Sequence, residues 1–214
     1  MVDLFQGRTI KYFLIISFPV VIILGNFQYL MFNLSYYQSL YRKLGVYQSF
    51  NDQDEVHNAT VSLLGYFRGK NNLDHNFFSN QAQLHLADVK NLLKSTFIFY
   101  NLSLLTVLIL SALLIIKKQY RLLTTSLFLS SIITLSAMVL LAVGLFGVFD
   151  FLFVKFHRLV FDNNLWMFPE DDSLIRLFPQ QFFISFSNQL AANIILTSAL
   201  IATVSGILIK KLPR

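Results

Sequence analysis

The chain has 214 residues, of which 55% are hydrophobic and only 13% are charged, and its mean hydropathy is +0.59. Because a soluble globular domain is about 25% charged, this composition excludes an ordinary soluble domain and indicates an integral membrane protein. The formal net charge is +6 and cysteine is absent, which excludes disulfides, thiolate metal sites and a cysteine nucleophile.

Four apolar runs are each long enough to cross a membrane as a helix, and they cover residues 12–32, 95–116, 122–149 and 183–209. The first run could be a signal peptide, but its apolar core is too long for one and no small-residue cleavage site follows it. The third run exceeds the roughly 20 residues that a span requires, so we expect it to tilt or to extend beyond the bilayer. The sequence therefore predicts four transmembrane helices.

Four spans place both chain termini on the same side of the membrane, where basic residues greatly outnumber acidic ones. The charged residues of that side are Asp3, Arg8, Lys11, Lys117, Lys118, Arg121, Lys210, Lys211 and Arg214. The positive-inside rule therefore predicts cytoplasmic termini, with residues 33–94 and 150–182 outside the cell as a small extracytoplasmic cap. Because topology explains the basic charge, nucleic acid is not expected as a partner.

The expected fold class is an all-α membrane protein, in which one domain of four transmembrane helices carries the cap. Residues 36–50 are rich in tyrosine and partly alternating. This pattern favours short strands or an extended segment, which would make the cap α+β.

Two helices are predicted within the cap. Residues 54–68 carry apolar side chains at helical spacing, with Asp52 or Asp54 as the N-terminal cap and Gly69 at the end. Ser79 is expected to cap a second helix, which runs into the second span without a proline or glycine.

Of the four histidines, His57 and His75 lie in polar stretches that are typical of a solvated surface. His85 has Asp88 three residues further on, so both share one face of a helix. A carboxylate in that place can hold one imidazole nitrogen and make the other a better base. The alternative is an ordinary polar helix face, and a straight helix would lift His85 about 15 Å above residue 95, at 1.5 Å per residue.

His157 lies in a segment crowded with aromatic rings, which are typical of the headgroup level of a membrane. Its surroundings, FVKFHRLVF, predict a short interfacial helix. Arg158 is a candidate to hold a lipid carbonyl or phosphate, or it extends to the headgroups with no further role. Asp162 is a candidate to orient His157. Since both loops face one side, His85 and His157 become a candidate pair.

Other kinds of site find little support in the sequence. No two histidines have the spacing of a helical metal site, so no metal is expected. There is no GxSxG motif of a serine lipase and no glycine-rich phosphate loop. The acids at residues 170–172 precede Ser173 and predict a helix start, and Pro179 ends that short helix.

Two motifs carry a family resemblance. HLADVK begins at His85, and FHRLVFDNNLW contains His157 and is followed by FPEDDSLIRLFPQQFF. In combination with four spans and two long loops, they resemble the bacterial lipoprotein intramolecular transacylases. This resemblance implies two catalytic histidines, which map onto His85 and His157 at the boundary between cap and membrane.

The implied reaction moves the sn-2 acyl chain of a diacylglyceryl-cysteine to the α-amino group of that same cysteine, giving an N-acyl, S-monoacylglyceryl (lyso-form) lipoprotein. The partners would be a diacylglyceryl lipoprotein with a free N-terminal cysteine and membrane lipid, in the bacterial cell membrane. Converting an ester to an amide is downhill, so no cofactor is expected. An intermolecular lipid acyltransferase or hydrolase and a non-enzymatic binding module remain alternatives.

Within that reaction, we expect His157 to handle the amine and His85, oriented by Asp88, to act at the ester, or the reverse. Backbone amides or Arg158 would stabilise the oxyanion, and an aromatic loop would exclude water. The expected substrate-binding residues are Asp88, Arg158, Phe161, Trp166, Phe178 and Phe182.

Overall fold

The computed structural model describes residues 2–144 and 148–213, and within them it contains eight α-helices, one short 3₁₀ helix and no β-strand. The elements are α1 (Val2–Met31), α2 (Leu34–Leu44), the 3₁₀ helix (Val46–Ser49), α3 (Gln53–Phe67), α4 (Asn80–Ile116), α5 (Tyr120–Gly144), α6 (Phe149–Val160), α7 (Ser173–Leu177) and α8 (Gln180–Lys211).

Four helices in the described part of the chain are long and apolar enough to cross a membrane: Gly7–Met31, Asn80–Ile116, Tyr120–Leu141 and Gln180–Lys211. The expected all-helical class with four spans is therefore confirmed. The predicted third run, 122–149, includes residues 145–147, which lie outside the described residues, and its last residue, Phe149, begins α6.

The described chain divides into two compact units. The first comprises Met1–Gln28, Thr96–Leu145 and Leu190–Arg214. Its apolar core joins Leu14 to Val107 and Leu114. Small hydroxyl residues on α5 are also buried: Ser126, Ser130, Ser131 and Thr134. Side chains of this size let membrane helices approach one another closely.

The second unit comprises Tyr29–Ser95 and Phe146–Gln189. Its core is built largely from rings and leucines, with Tyr41 and Leu177 fully enclosed. The extended structure expected for residues 36–50 is wrong, because α2 and the 3₁₀ helix occupy this stretch.

The tyrosines of α2 follow a helical spacing. Tyr37, Leu40 and Tyr41 are buried on one face, so the helical period overrides the preference of tyrosine for strands. Asn33 caps the helix by accepting a hydrogen bond from the Tyr36 amide at 3.1 Å, and Gly45 ends it with a φ of 73°.

The two helices predicted for residues 54–68 and after Ser79 are confirmed. Asp52 caps α3, and Gly69 follows its end with a positive φ, where the Lys70 amide donates to the Gly65 carbonyl. The Ser79 hydroxyl accepts from the Ala82 amide at 3.2 Å. From there α4 continues unbroken to Ile116, so one continuous helix carries both His85 and the second apolar run.

Candidate active site

His85 and His157 lie side by side in the second unit. His85 comes from the second turn of α4 and His157 from the last turn of α6. The centroids of their imidazole rings are 6.1 Å apart, with 32° between the ring planes. Both residues are buried, at 7% and 9% exposure. Two titratable rings in one enclosed place can give and take protons at a single reacting centre.

His157 is oriented by the backbone of its own helix. Its Nδ1 lies 2.7 Å from the carbonyl oxygen of Phe153. A carbonyl only accepts hydrogen bonds, so Nδ1 carries the hydrogen and neutral His157 keeps its basic lone pair on Nε2. The expectation that Asp162 orients this ring is wrong, because the Phe153 carbonyl one turn earlier already does so. Asp162 itself is exposed.

Burial lowers the pKa of His157 below its ordinary value, since the apolar surroundings disfavour the charged form. The hydrogen bond to Phe153 acts in the opposite direction and is the smaller effect. His157 is therefore neutral at pH 7, which is the state that a general base needs.

His85 is enclosed by rings. The ring centroid of Phe161 lies 5.1 Å from that of His85 and the centroid of Phe168 lies 5.7 Å away, both in edge-on contacts. Within the described chain, the buried Nδ1 of His85 has no hydrogen-bond partner. Asp88 was expected to hold one nitrogen of this ring, but its carboxylate instead accepts from the Asn163 side-chain amide at 2.9 Å.

The other predicted binding residues separate into three groups. Phe161 and Trp166 contact the histidines, with ring centroids 5.8 Å and 4.9 Å from that of His157. Phe178 and Phe182 pack in the aromatic core instead: they lie 4.9 Å from each other and each contacts Tyr37 and Tyr41.

Phe182 is only 3% exposed and Phe178 is half-buried against the same core, so the structure places both rings in the packing of the second unit. The third group is Arg158 alone. Its side chain is exposed, and no hydrogen-bond or ion-pair partner is found for it among residues 2–144 and 148–213.

Sequence reasoning missed two residues that hold the site together, Gln81 and Asn163. The Gln81 side chain donates to the carbonyls of Leu165 and Met167 at 3.1 and 2.7 Å, and Asn163 donates to Asp88. Both tie the loop after α6 to the helix of His85. For Gln81 a signal was present in the sequence, because Gln81 lies one turn before His85 on the same face of the helix.

The two remaining histidines have surface partners. His57 lies 3.0 Å from the Gln38 side chain and His75 lies 2.6 Å from that of Gln83. His75 is exposed and His57 half-buried. Within the described residues, neither ring contacts His85 or His157, so the candidate site contains only the pair.

Comparison with known proteins shows the family to which this chain belongs. The family model described as "Lipoprotein intramolecular transacylase Lit" matches residues 12–183. The chain belongs to the Lit family. It is therefore a membrane-integral intramolecular transacylase that acts on lipoproteins.

Solved structures of Lit from Bacillus cereus share the fold. One is 23% identical, with a TM-score of 0.86, and the match covers 96% of this chain and 97% of that one. A second, described as carrying an H85R mutation, is 22% identical with a TM-score of 0.80 and covers 98% and 95%. A third, with an H85A mutation, is 22% identical with a TM-score of 0.77 and covers 98% and 96%. No curated protein sequence matches the chain significantly.

In this Lit site, tryptophan fluorescence can report whether His157 is protonated, because Trp166, the only tryptophan of the chain, contacts its ring. An imidazolium quenches indole fluorescence more strongly than a neutral imidazole does. We expect Trp166 emission to decrease as pH falls, with its midpoint below the ordinary histidine pKa of about 6.5.

The same shift predicts how stability changes with pH. The unfolded chain takes up a proton near pH 6.5, and the folded His157 does so only at lower pH. The free energy of unfolding should therefore decrease as pH falls below about 6.5. The His157→Gln variant should lose the fluorescence transition, and a transition that persists in it would contradict the assignment.

Proposed function

We propose that this Lit transacylase moves the sn-2 acyl chain of a diacylglyceryl-cysteine lipoprotein to the α-amino group of the same cysteine. The product is an N-acyl, S-monoacylglyceryl lipoprotein. The observation that carries the proposal is the buried imidazole pair, whose centroids are 6.1 Å apart. Both rings can reach the amine and the ester of one substrate molecule from this position.

In the reaction, the cysteine amine attacks the ester carbon, a nitrogen–carbon bond forms and the bond from that carbon to the glyceryl oxygen breaks. Nε2 of His157 takes the proton from the amine, because Nδ1 is committed to the Phe153 carbonyl. That proton is passed to the departing glyceryl oxygen, with His85 on the ester side, so the pair returns to its starting protonation state. The reverse assignment of the two rings uses the same geometry.

The enzyme contributes mainly orientation and protection from water. Amine and ester belong to one molecule, and holding them in reacting geometry can lower the barrier by roughly 7–11 kcal/mol in favourable cases. Phe161 and Trp166 contact His157 and exclude the water that would hydrolyse the ester. Arg158, with its exposed guanidinium, would hold the lipid or the oxyanion.

The proposal includes an orientation in the bacterial cell membrane. The basic residues near the termini and at residues 117–121 favour a cytoplasmic location under the positive-inside rule. Residues 33–94 and 150–182 then form an extracytoplasmic cap of the single membrane domain, and the histidine pair faces the outer leaflet. A lipoprotein anchored in that leaflet would present its lipidated cysteine to the pair.

The test uses purified protein and a synthetic diacylglyceryl lipopeptide with a free N-terminal cysteine. Mass spectrometry should find the N-acyl lyso product with unchanged total mass. When unlabelled lipopeptide is mixed with lipopeptide labelled in both peptide and acyl chain, labelled acyl groups should stay on labelled peptides. Labelled acyl groups on unlabelled peptides would establish intermolecular transfer, and free fatty acid would establish hydrolysis. Either result would overturn the intramolecular reaction.

A further inference from the structure

Three polar side chains lie on one face of α4. Gln81, His85 and Asp88 have the spacing i−4, i and i+3, which places them in one row along the helix. Gln81 and Asp88 do not bind each other or His85 in the described chain. Both instead form hydrogen bonds with the loop that follows α6: Gln81 donates to two of its carbonyls, and Asp88 accepts from one of its side chains. His85 therefore lies between two attachment points of that loop.

Asn163 forms one of these attachments with a single hydrogen bond to α4 and makes two further hydrogen bonds within the loop. Its side-chain amide donates to Asp88 at 2.9 Å, and its side-chain oxygen accepts from the Leu165 amide at 3.0 Å. Its backbone carbonyl accepts from the indole nitrogen of Trp166 at 3.0 Å. Trp166 in turn contacts the ring of His157. A connected path thus runs from the helix of His85 through Asn163 to the surroundings of His157.

We propose that Asn163 is a positioning residue that sets the relation between the two imidazoles by fixing the loop to Asp88. This inference rests on the proposed function of the histidine pair. Asparagine suits the place because one end of its amide donates to a carboxylate while the other end accepts from a backbone amide. Neither alanine nor aspartate can do both. Gln81 is an independent second attachment, so loss of the Asn163 bond leaves the loop folded.

The inference gives Asp88 a different role from the one expected from the sequence. If the negative charge of Asp88 took part in the reaction, Asp88→Asn would strongly lower the rate of acyl transfer. If Asp88 serves only as the acceptor for Asn163, Asp88→Asn should keep most of the acyl-transfer rate, because an asparagine oxygen still accepts that hydrogen bond. Asn163→Asp, in contrast, places two carboxylates against each other and removes the amide donor between them.

The decisive experiment compares Asp88→Asn, Asn163→Asp and the double variant that exchanges the two residues. In the lipopeptide assay, we expect Asn163→Asp to lower kcat by about tenfold to a hundredfold, as misplaced catalytic groups do, with little change in KM. In the double variant, the amide introduced on α4 donates to the carboxylate introduced in the loop, so the hydrogen bond is restored with its direction reversed.

Activity of the double variant should therefore return to within about threefold of the original, as expected when two residues act as one pair. Full activity in Asn163→Asp, or no recovery in the double variant, would overturn the inference.

The pH dependence of Trp166 fluorescence provides a second measurement. Its midpoint would not change if Asn163 had only a structural role at the surface. Asn163→Asp should shift the fluorescence midpoint of His157, and the exchange variant should restore it. His157 lies against His85 on α4, Asp88 is one turn beyond His85 on that helix, and Arg158 and Asp162 are neighbours of His157 in the chain. These are the same in the matched control Asn164→Asp, which changes the neighbouring exposed asparagine and should leave kcat and the midpoint unchanged.

A folding defect is distinguished by Asn163→Ala, which removes the side-chain hydrogen bonds without adding charge. With an unchanged melting temperature, it should still lower kcat by about tenfold, and unchanged kcat would count against the inference. The proposed function has its own test in the same assay. Full activity in His157→Ala would contradict the histidine mechanism. If His157→Ala is inactive but Asn163→Asp is fully active, only the positioning role of Asn163 is contradicted.

Discussion

Replacing His157 by alanine should reduce acyl transfer by about 10²- to 10⁴-fold, which is the usual contribution of a positioned acid or base. The neutral Nε2 of His157 is the best-oriented base of the site, since Nδ1 donates to the Phe153 carbonyl at 2.7 Å. His85→Ala should cause a loss of the same order. Each rate would be measured by mass spectrometry of the N-acyl lyso product.

The matched controls are His57→Ala and His75→Ala, because these histidines form contacts with Gln38 and Gln83 away from the pair. Both controls should keep full activity. The melting temperature of each variant would show that loss of activity does not come from unfolding. A stable His157→Ala or His85→Ala protein with full activity would end the two-histidine mechanism.

Replacing Tyr41 by alanine should lower the free energy of unfolding by about 3–5 kcal/mol, the range for large aromatic residues in a core. Tyr41 is fully buried, and its ring contacts those of Tyr37, Tyr47, Phe178 and Phe182. Removing it leaves a cavity that four rings cannot close without leaving their preferred positions. Thermal unfolding of the detergent-purified protein would measure the change.

Two controls separate the ring of Tyr41 from its hydroxyl and from general effects of losing a tyrosine. Tyr41→Phe keeps the ring and removes only the hydroxyl that accepts from Thr60, which should cost about 1 kcal/mol. Tyr29→Ala changes a tyrosine that is 67% exposed and should have little effect. Similar melting temperatures for Tyr41→Ala and Tyr29→Ala would show that the aromatic core does not stabilise the second unit.

The fold could be predicted largely from local patterns. Apolar runs of membrane length, the cap at Asp52, the cap at Ser79 and the glycine after α3 each depend on neighbouring residues, and each was found where expected. The failure at residues 36–50 has a physical reason. Tyrosine suits both a strand and the buried face of a helix, and only its partners Phe178 and Phe182, far along the chain, favour the helix.

The candidate site was harder to predict, because its hydrogen bonds connect residues that are distant in sequence. Spacing on a helix predicts a hydrogen bond between Asp88 and His85, but the Asp88 carboxylate accepts one from Asn163, which lies in another segment. Proximity in sequence likewise suggested that Asp162 serves His157. In the structure, Nδ1 of His157 instead donates to the backbone carbonyl of Phe153, which lies one helical turn before it.

By itself, the sequence determined that this protein has four helices long and apolar enough to cross a membrane, which helices it forms near its histidines, and which two histidines are candidates for a pair. These properties follow from hydrophobicity, periodicity and capping, which act over a few residues. Only the tertiary structure decided that the two imidazoles meet, that Phe178 and Phe182 belong to the core, and that Asn163 binds Asp88. Such contacts depend on how distant segments pack, and packing is set by the shapes of all the side chains together.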